Sequence, residues 1–249
     1  MRLKNIKIRQ FIIMIAATLL GLIIGAGAFL FTNRSNINFL SDTTHRPSTS
    51  TIESYLDQGD YQKAYEEALK YTSTHPNNPL SYKYLGSILF NLGRYEESNK
   101  NFELALQNKN LTLMEKAEIY YLMGRNSDYL RNYNQVLLYN QKALELNPKY
   151  SAPYHAIGLV LIKQKKYQEA IPFFEKTLAF MQNPETNPQA VYPYYYLAKI
   201  YFESKDYLKA KEMIDKAIKF AEGLSPAIAN VFIQMIQSLK LNIEEQLIN

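Results

Sequence analysis

The chain has no cysteine, no tryptophan and only three histidines in 249 residues. Without cysteine there can be no disulfide, no thiol nucleophile and no thiolate metal site. The histidines are isolated. His45 lies in a polar stretch, His75 precedes Pro76 in the turn-like "THPNNP", and His155 falls in a predicted helix with no second ligand one turn on. No HExxH, glycine-rich phosphate loop or Gly-x-Ser-x-Gly is present. Paired carboxylates such as Glu66–Glu67 and Glu96–Glu97 sit where helix faces are ordinarily solvated. The sequence therefore offers no catalytic residue, no metal site and no cofactor site, and it does not read as an enzyme.

Charge is also scarce once its position is considered. The formal net charge is +5. Arg2, Lys4, Lys7 and Arg9 supply most of it, and the chain beyond residue 10 is close to neutral. That distribution lacks the basic footprint of a nucleic-acid binder.

What the sequence does have begins at residue 11. "FIIMIAATLLGLIIGAGAFLFT", residues 11–32, carries no charge. As a helix it would span roughly 33 Å, enough to cross a bilayer core of about 30 Å. The basic residues 1–10 before it would stay in the cytoplasm. The remainder would then lie on the far side of the inner membrane, in the periplasm. A competing reading is a cleaved leader, because Ala26-Gly27-Ala28 has the form of a cleavage site. The run continues past it through Phe31, which favours an anchor. Ala17, Gly21 and Gly25 share one helix face, and small residues there let two membrane helices approach closely. Homo-oligomer formation through that face is one reading; the frequency of Gly and Ala in such helices is the other. Residues 33–46 are polar and aperiodic, and read as a linker.

From residue 47 to 224 the chain repeats. Gly86 stands inside "YLGSILFNLGRYEESNKNFELAL", a helical pattern in which glycine costs roughly 1 kcal/mol relative to alanine. Gly124, Gly158 and Ala198 occupy the equivalent position. Tyr82, Tyr120, Tyr154 and Tyr194 precede these small residues by four. Tyr95, Tyr133, Tyr167 and Tyr207 follow them by nine. This pattern resembles the tetratricopeptide repeat (TPR), whose units are pairs of antiparallel helices in a solenoid. The resemblance implies an all-α fold. Five units are expected, at about 47–78, 79–112, 117–150, 151–184 and 191–224. Ser48 and Ile52 replace the aromatic and the small residue in the first unit, so its first helix should be short. Pro172 should kink the second helix of the fourth unit or delay its start. Residues 225–249 should form a capping helix, with Ser225 as N-cap, Pro226 in the first turn and Ile228, Val231, Phe232, Met235 and Leu239 on one apolar face.

In the family the first helices line a groove. Carried over, its lining includes Lys83, Phe90, Tyr121, Arg125, Tyr129, His155, Tyr192, Tyr195, Lys199 and Phe202. Rings interleaved with cations suit a peptide with acidic and apolar side chains. The subclass that clamps chaperone C-termini is not matched. Its five positions fall here on Lys83, Ser87, Leu122, Ala152 and Ala156, and only the lysine agrees. The resemblance thus implies a membrane-anchored scaffold or assembly factor for an envelope machine. Secretion, outer-membrane assembly and flagellar-motor collars are all open, with other proteins as partners. A soluble periplasmic or secreted binder, or a regulator of an envelope enzyme, are the alternatives.

Overall fold

The computed structural model describes residues 49–221 and 226–248. Among them are eleven α-helices and no strand. They are α1 (Ser50–Gln58), α2 (Tyr61–Thr74), α3 (Pro79–Asn91), α4 (Tyr95–Leu106), α5 (Leu113–Tyr129), α6 (Tyr133–Leu146), α7 (Ser151–Lys163), α8 (Tyr167–Phe180), α9 (Val191–Glu203), α10 (Tyr207–Ala221) and α11 (Pro226–Ile248). The apolar run 11–32, its Ala17/Gly21/Gly25 face and the linker lie outside the described residues, as does Ser225. No described helix is long and apolar enough to cross a membrane.

Local chemistry sets where these helices start. Asn78 caps α3 by accepting from the Leu80 amide, and Pro79 follows as the first helical residue. Thr112 and Glu115 form a reciprocal capping box on α5. Asp60 and Asn132 cap α2 and α6. Between the two helices of every unit the backbone turns through positive φ, at Gly59, Gly93, Arg131, Lys165 and Lys205. Glycine fills the first two turns and long basic residues the last three, so the conformation is kept where the residue suited to it is not.

The described chain forms two compact bodies. In the first, residues 49–182, helices pair as α1–α2, α3–α4, α5–α6 and α7–α8, and each pair packs on the next. In the second, α9 pairs with α10, which also packs on α11. Buried Phe232, Ile236 and Ile243 of α11 join Ala198, Ala210 and Ile214 in one core.

The glycine in α3 has a mechanical reason. A Cβ on Gly86 would lie 2.5 Å from the Phe102 ring of α4, and one on Gly158 would lie 2.8 Å from the Phe174 ring of α8. Both rings are fully buried. In each unit the partner stands sixteen residues after the small position. The second body keeps this offset as Ala198 with Ile214, in one core cluster. The first repeat inverts it. Ile52 takes the small position and Ala68 the large one, and both are buried in one cluster. Its degeneracy is therefore an exchange of volumes across the same contact, and α1 is correspondingly short at nine residues.

The tyrosine four residues before the small position has its own partner. Lys142 lies 5.3 Å from the Tyr120 ring centroid, Lys176 lies 5.4 Å from Tyr154, and Lys216 lies 5.8 Å from Tyr194. Each lysine follows its tyrosine by twenty-two residues. At that offset from Tyr82 the chain has Leu104, which is 43% exposed.

Pro172 neither delays nor ends its helix, because α8 runs from Tyr167 through it to Phe180. It sits at the sixth position, on the exposed side of the helix. The insertion before α9 contains a short 3₁₀ turn, Pro188–Ala190, capped by Asn187.

Two substitutions test this packing. Gly86→Ala should lower stability by about 1 kcal/mol, because overpacking of about 1–3 kcal/mol outweighs the propensity gain of about 1. A urea midpoint that rises instead would show that the Phe102 ring yields freely. Leu104→Lys should raise stability by about 0.5 kcal/mol by supplying the missing cation over Tyr82.

Candidate functional site

The first helices of successive pairs, α3, α5 and α7, adjoin one another and present a shared face. Six of the expected groove residues lie on these helices: Lys83 and Phe90 on α3, Tyr121, Arg125 and Tyr129 on α5, and His155 on α7. Phe90 and Tyr129 meet edge to face at 5.3 Å. Tyr95, at the start of α4, stacks on Tyr129 at 4.8 Å and meets Phe90 at 5.7 Å. The Arg125 guanidinium lies 4.3 Å from the centre of the Phe90 ring. These groups form a three-ring panel with a cation on one face, a geometry in which the ring quadrupole favours the charge.

Tyr121 is buried one turn before Arg125 and packs edge to face with Tyr150 at 5.3 Å. Burial pushes the Tyr121, Tyr129 and Tyr150 phenols up, while the Arg125 charge opposes that rise. They remain neutral hydrogen-bonding groups across the ordinary pH range. His155 is also buried, edge to face with Phe174 at 5.6 Å.

The lysines of this face are already engaged. Lys83 Nζ is 2.6 Å from Glu118 Oε2, and Lys163 Nζ is 2.5 Å from Asp128 Oδ1. Both pairs join one repeat to the next across thirty-five residues. Tyr84 donates to Glu53, which is the corresponding link between the first and second units. The preference for acidic side chains expected from the cations is weakened accordingly. The face offers the half-buried rings of Tyr95 and Tyr129, over buried Phe90, more than free ammonium groups.

The sequence marks Tyr95 only as a repeat position, not as a lining residue, and does not single out Tyr150, Glu118, Asp128 or Lys163. Glu118, Asp128 and Lys163 stand at the same repeat positions as expected lining residues, so the repeat register would have found them. Tyr95 required knowledge of how α4 meets α5.

The remaining four expected residues belong to the second body. Tyr195 is buried and Tyr192 half-buried; both pack edge to face against Phe232 of α11, at 5.2 and 4.9 Å. Burial raises both phenols to about 12. Phe202 packs on Tyr207 at 5.7 Å, and Lys199 is half-buried on α9. Among the described residues no group of three His, Asp or Glu side chains is placed to hold a metal.

Burial of His155 carries a pH signature. The ring is held to a pKa of about 4, below its usual 6.5, because burial penalises the charged form. Folding therefore favours the neutral ring. The stability this confers is complete above pH 6.5 and is lost as pH falls toward 4, by up to about 3 kcal/mol. His155→Gln should flatten the stability profile between those values in urea titrations at stepped pH. Parallel profiles for the two proteins would show that His155 titrates normally.

Family models described as "Tetratricopeptide repeat" match residues 51–110, 108–183 and 149–223. The Homo sapiens Tetratricopeptide repeat protein 6 is 26% identical over 125 residues, which are 49% of this chain and 23% of that protein. The chain thus spans less than a quarter of that relative's length. The crystal structure of MamA superposes with a TM-score of 0.59 at 20% identity, over 72% of this chain and 98% of MamA. YrrB, described as a TPR protein with an unusual peptide-binding site, gives 0.51 at 21% identity, over 72% of this chain and 86% of YrrB. At such identities the structural likeness speaks for the fold. With the repeated helix pairs and the small–large contact inside them, the matches across residues 51–223 mean that the chain belongs to the tetratricopeptide-repeat family.

Proposed function

We propose that this protein is a scaffold that holds a segment of another protein against the face of α3, α5 and α7. The observation that carries the reading is the panel of Phe90, Tyr95 and Tyr129 with Arg125 across it. Aromatic rings and arginine dominate the energetics of protein interfaces, because they bury large areas at little cost in side-chain freedom. The peptide-binding site named for YrrB supports the same use of the fold. With Lys83 and Lys163 paired to carboxylates, the favoured partner is an apolar segment, and its binding should depend weakly on salt. The uncharged run 11–32 would hold the scaffold in the inner membrane with its repeats in the periplasm. Its partners would be components of an envelope machine, assembled beside the membrane.

Photo-crosslinking amino acids at Tyr129, at Leu159 of α7, which holds the repeat position that Arg125 holds in α5, and at Glu97 on the second-helix side, test this in native membranes. One envelope protein captured from Tyr129 and Leu159 but not from Glu97 is the expected result. Capture from Glu97 alone would place the interface elsewhere and remove the basis for the reading.

A further inference from the structure

The third repeat keeps the backbone of its neighbours but not their interior. Where the second and fourth repeats set Phe102 and Phe174 against their glycines, the third sets Asn140 against Gly124. Where those repeats bury Ile88 and Val160, it buries Asn126. Where they bury Leu89 and Leu161, it buries Ser127. Asn126, Ser127 and Asn140 have no exposed surface at all. Asn126 Nδ2 donates to Ser98 Oγ at 2.9 Å and to Asn99 Oδ1 at 2.6 Å, and Ser98 donates onward to the Gly86 carbonyl at 2.7 Å. Asn140 Nδ2 donates within its own helix to Val136. The amide oxygens of Asn126 and Asn140 are buried and find no hydrogen-bond donor among the described residues.

We infer that the third repeat, α5 and α6, is where the first body opens. Three features point the same way. The ring that fills each neighbouring repeat is replaced by a shorter amide. Two amide oxygens have left water without regaining a donor, and each would regain one on opening. In an array where each unit holds only its neighbours, the weakest unit sets where the array separates. The opening unit also carries Tyr121, Arg125 and Tyr129. Local opening would therefore take apart the ring panel while α1–α4 and α7–α8 keep their own cores. The weakness is a property of the interior and stands whatever the face binds.

Native-state hydrogen exchange on the full-length protein in detergent micelles tests this. Amides of α5 and α6 should exchange faster than those of α3–α4 and α7–α8. Asn140→Phe restores the ring–glycine contact of the neighbouring repeats and should raise protection across α5 and α6 about tenfold, a change of about 1.4 kcal/mol. Asn126→Val, which copies Val160, should act in the same direction and guards against a misfitting ring. Protection in α5–α6 equal to that of its neighbours in the unmodified protein would overturn the inference. So would two variants that both leave that protection unchanged or lower.

Discussion

Every repeat is organised by one contact between a residue in the first helix and another sixteen positions later in the second. In four of the five repeats its requirement concerns combined volume rather than residue type; Gly124 with Asn140 in the third falls short of it. Gly86 with Phe102 and Gly158 with Phe174 meet it with all the bulk on the second helix. Ala198 with Ile214 shares it more evenly, and Ile52 with Ala68 places it on the first helix. Interiors packed to crystal density leave no slack for adding a methyl group on both sides. The helix propensity lost at glycine is thereby offset by ring burial, and the distance between helices is fixed. The turn between the helices of a unit then has little freedom. It passes through left-handed backbone at Arg131, Lys165 and Lys205 although glycine would suit those positions better.

The same arrangement determines what the first-helix face can offer. Once helices are held at a fixed spacing, lysine and carboxylate thirty-five residues apart come within ion-pair distance, as at Lys83–Glu118 and Lys163–Asp128. Charges used to tie repeats together are less available to a partner. What remains is the ring panel around Arg125, drawn from three helices, α3, α4 and α5.

Much of this was legible in the sequence because the repeat states it several times. Four small residues flanked by tyrosines at constant offsets identify the helix pairs and their order. Periodicity conceals what happens on one occasion only. Tyr95 enters the panel through the packing of α4 on α5, a relation between repeats that no single repeat spells out. Tyr121 and Tyr195 stand at expected lining positions, yet the first turns toward Tyr150 and the second toward Phe232. Bulky rings at such positions find burial nearby, and position alone does not reveal which do. Pro172 is expected to kink its helix or delay its start because its missing donor and its ring are costly inside a helix. Its place on the exposed side of α8 lets the helix continue.

The sixteen-residue contact is closed within each hairpin, so chain added between hairpins does not disturb it. Extra residues precede α5 and α9, and the pairs on either side retain their offset. Each hairpin is therefore a module in the genetic sense as well as the structural one. A duplication or deletion of one whole unit, or a drifting connector, leaves the sixteen-residue contact inside every other unit unchanged and alters only how neighbouring units pack on one another. A shift of even one position inside a hairpin would break its core. Length and partner specificity can diverge at the joints of such a protein, while selection on its interior acts on one pair of volumes at a time.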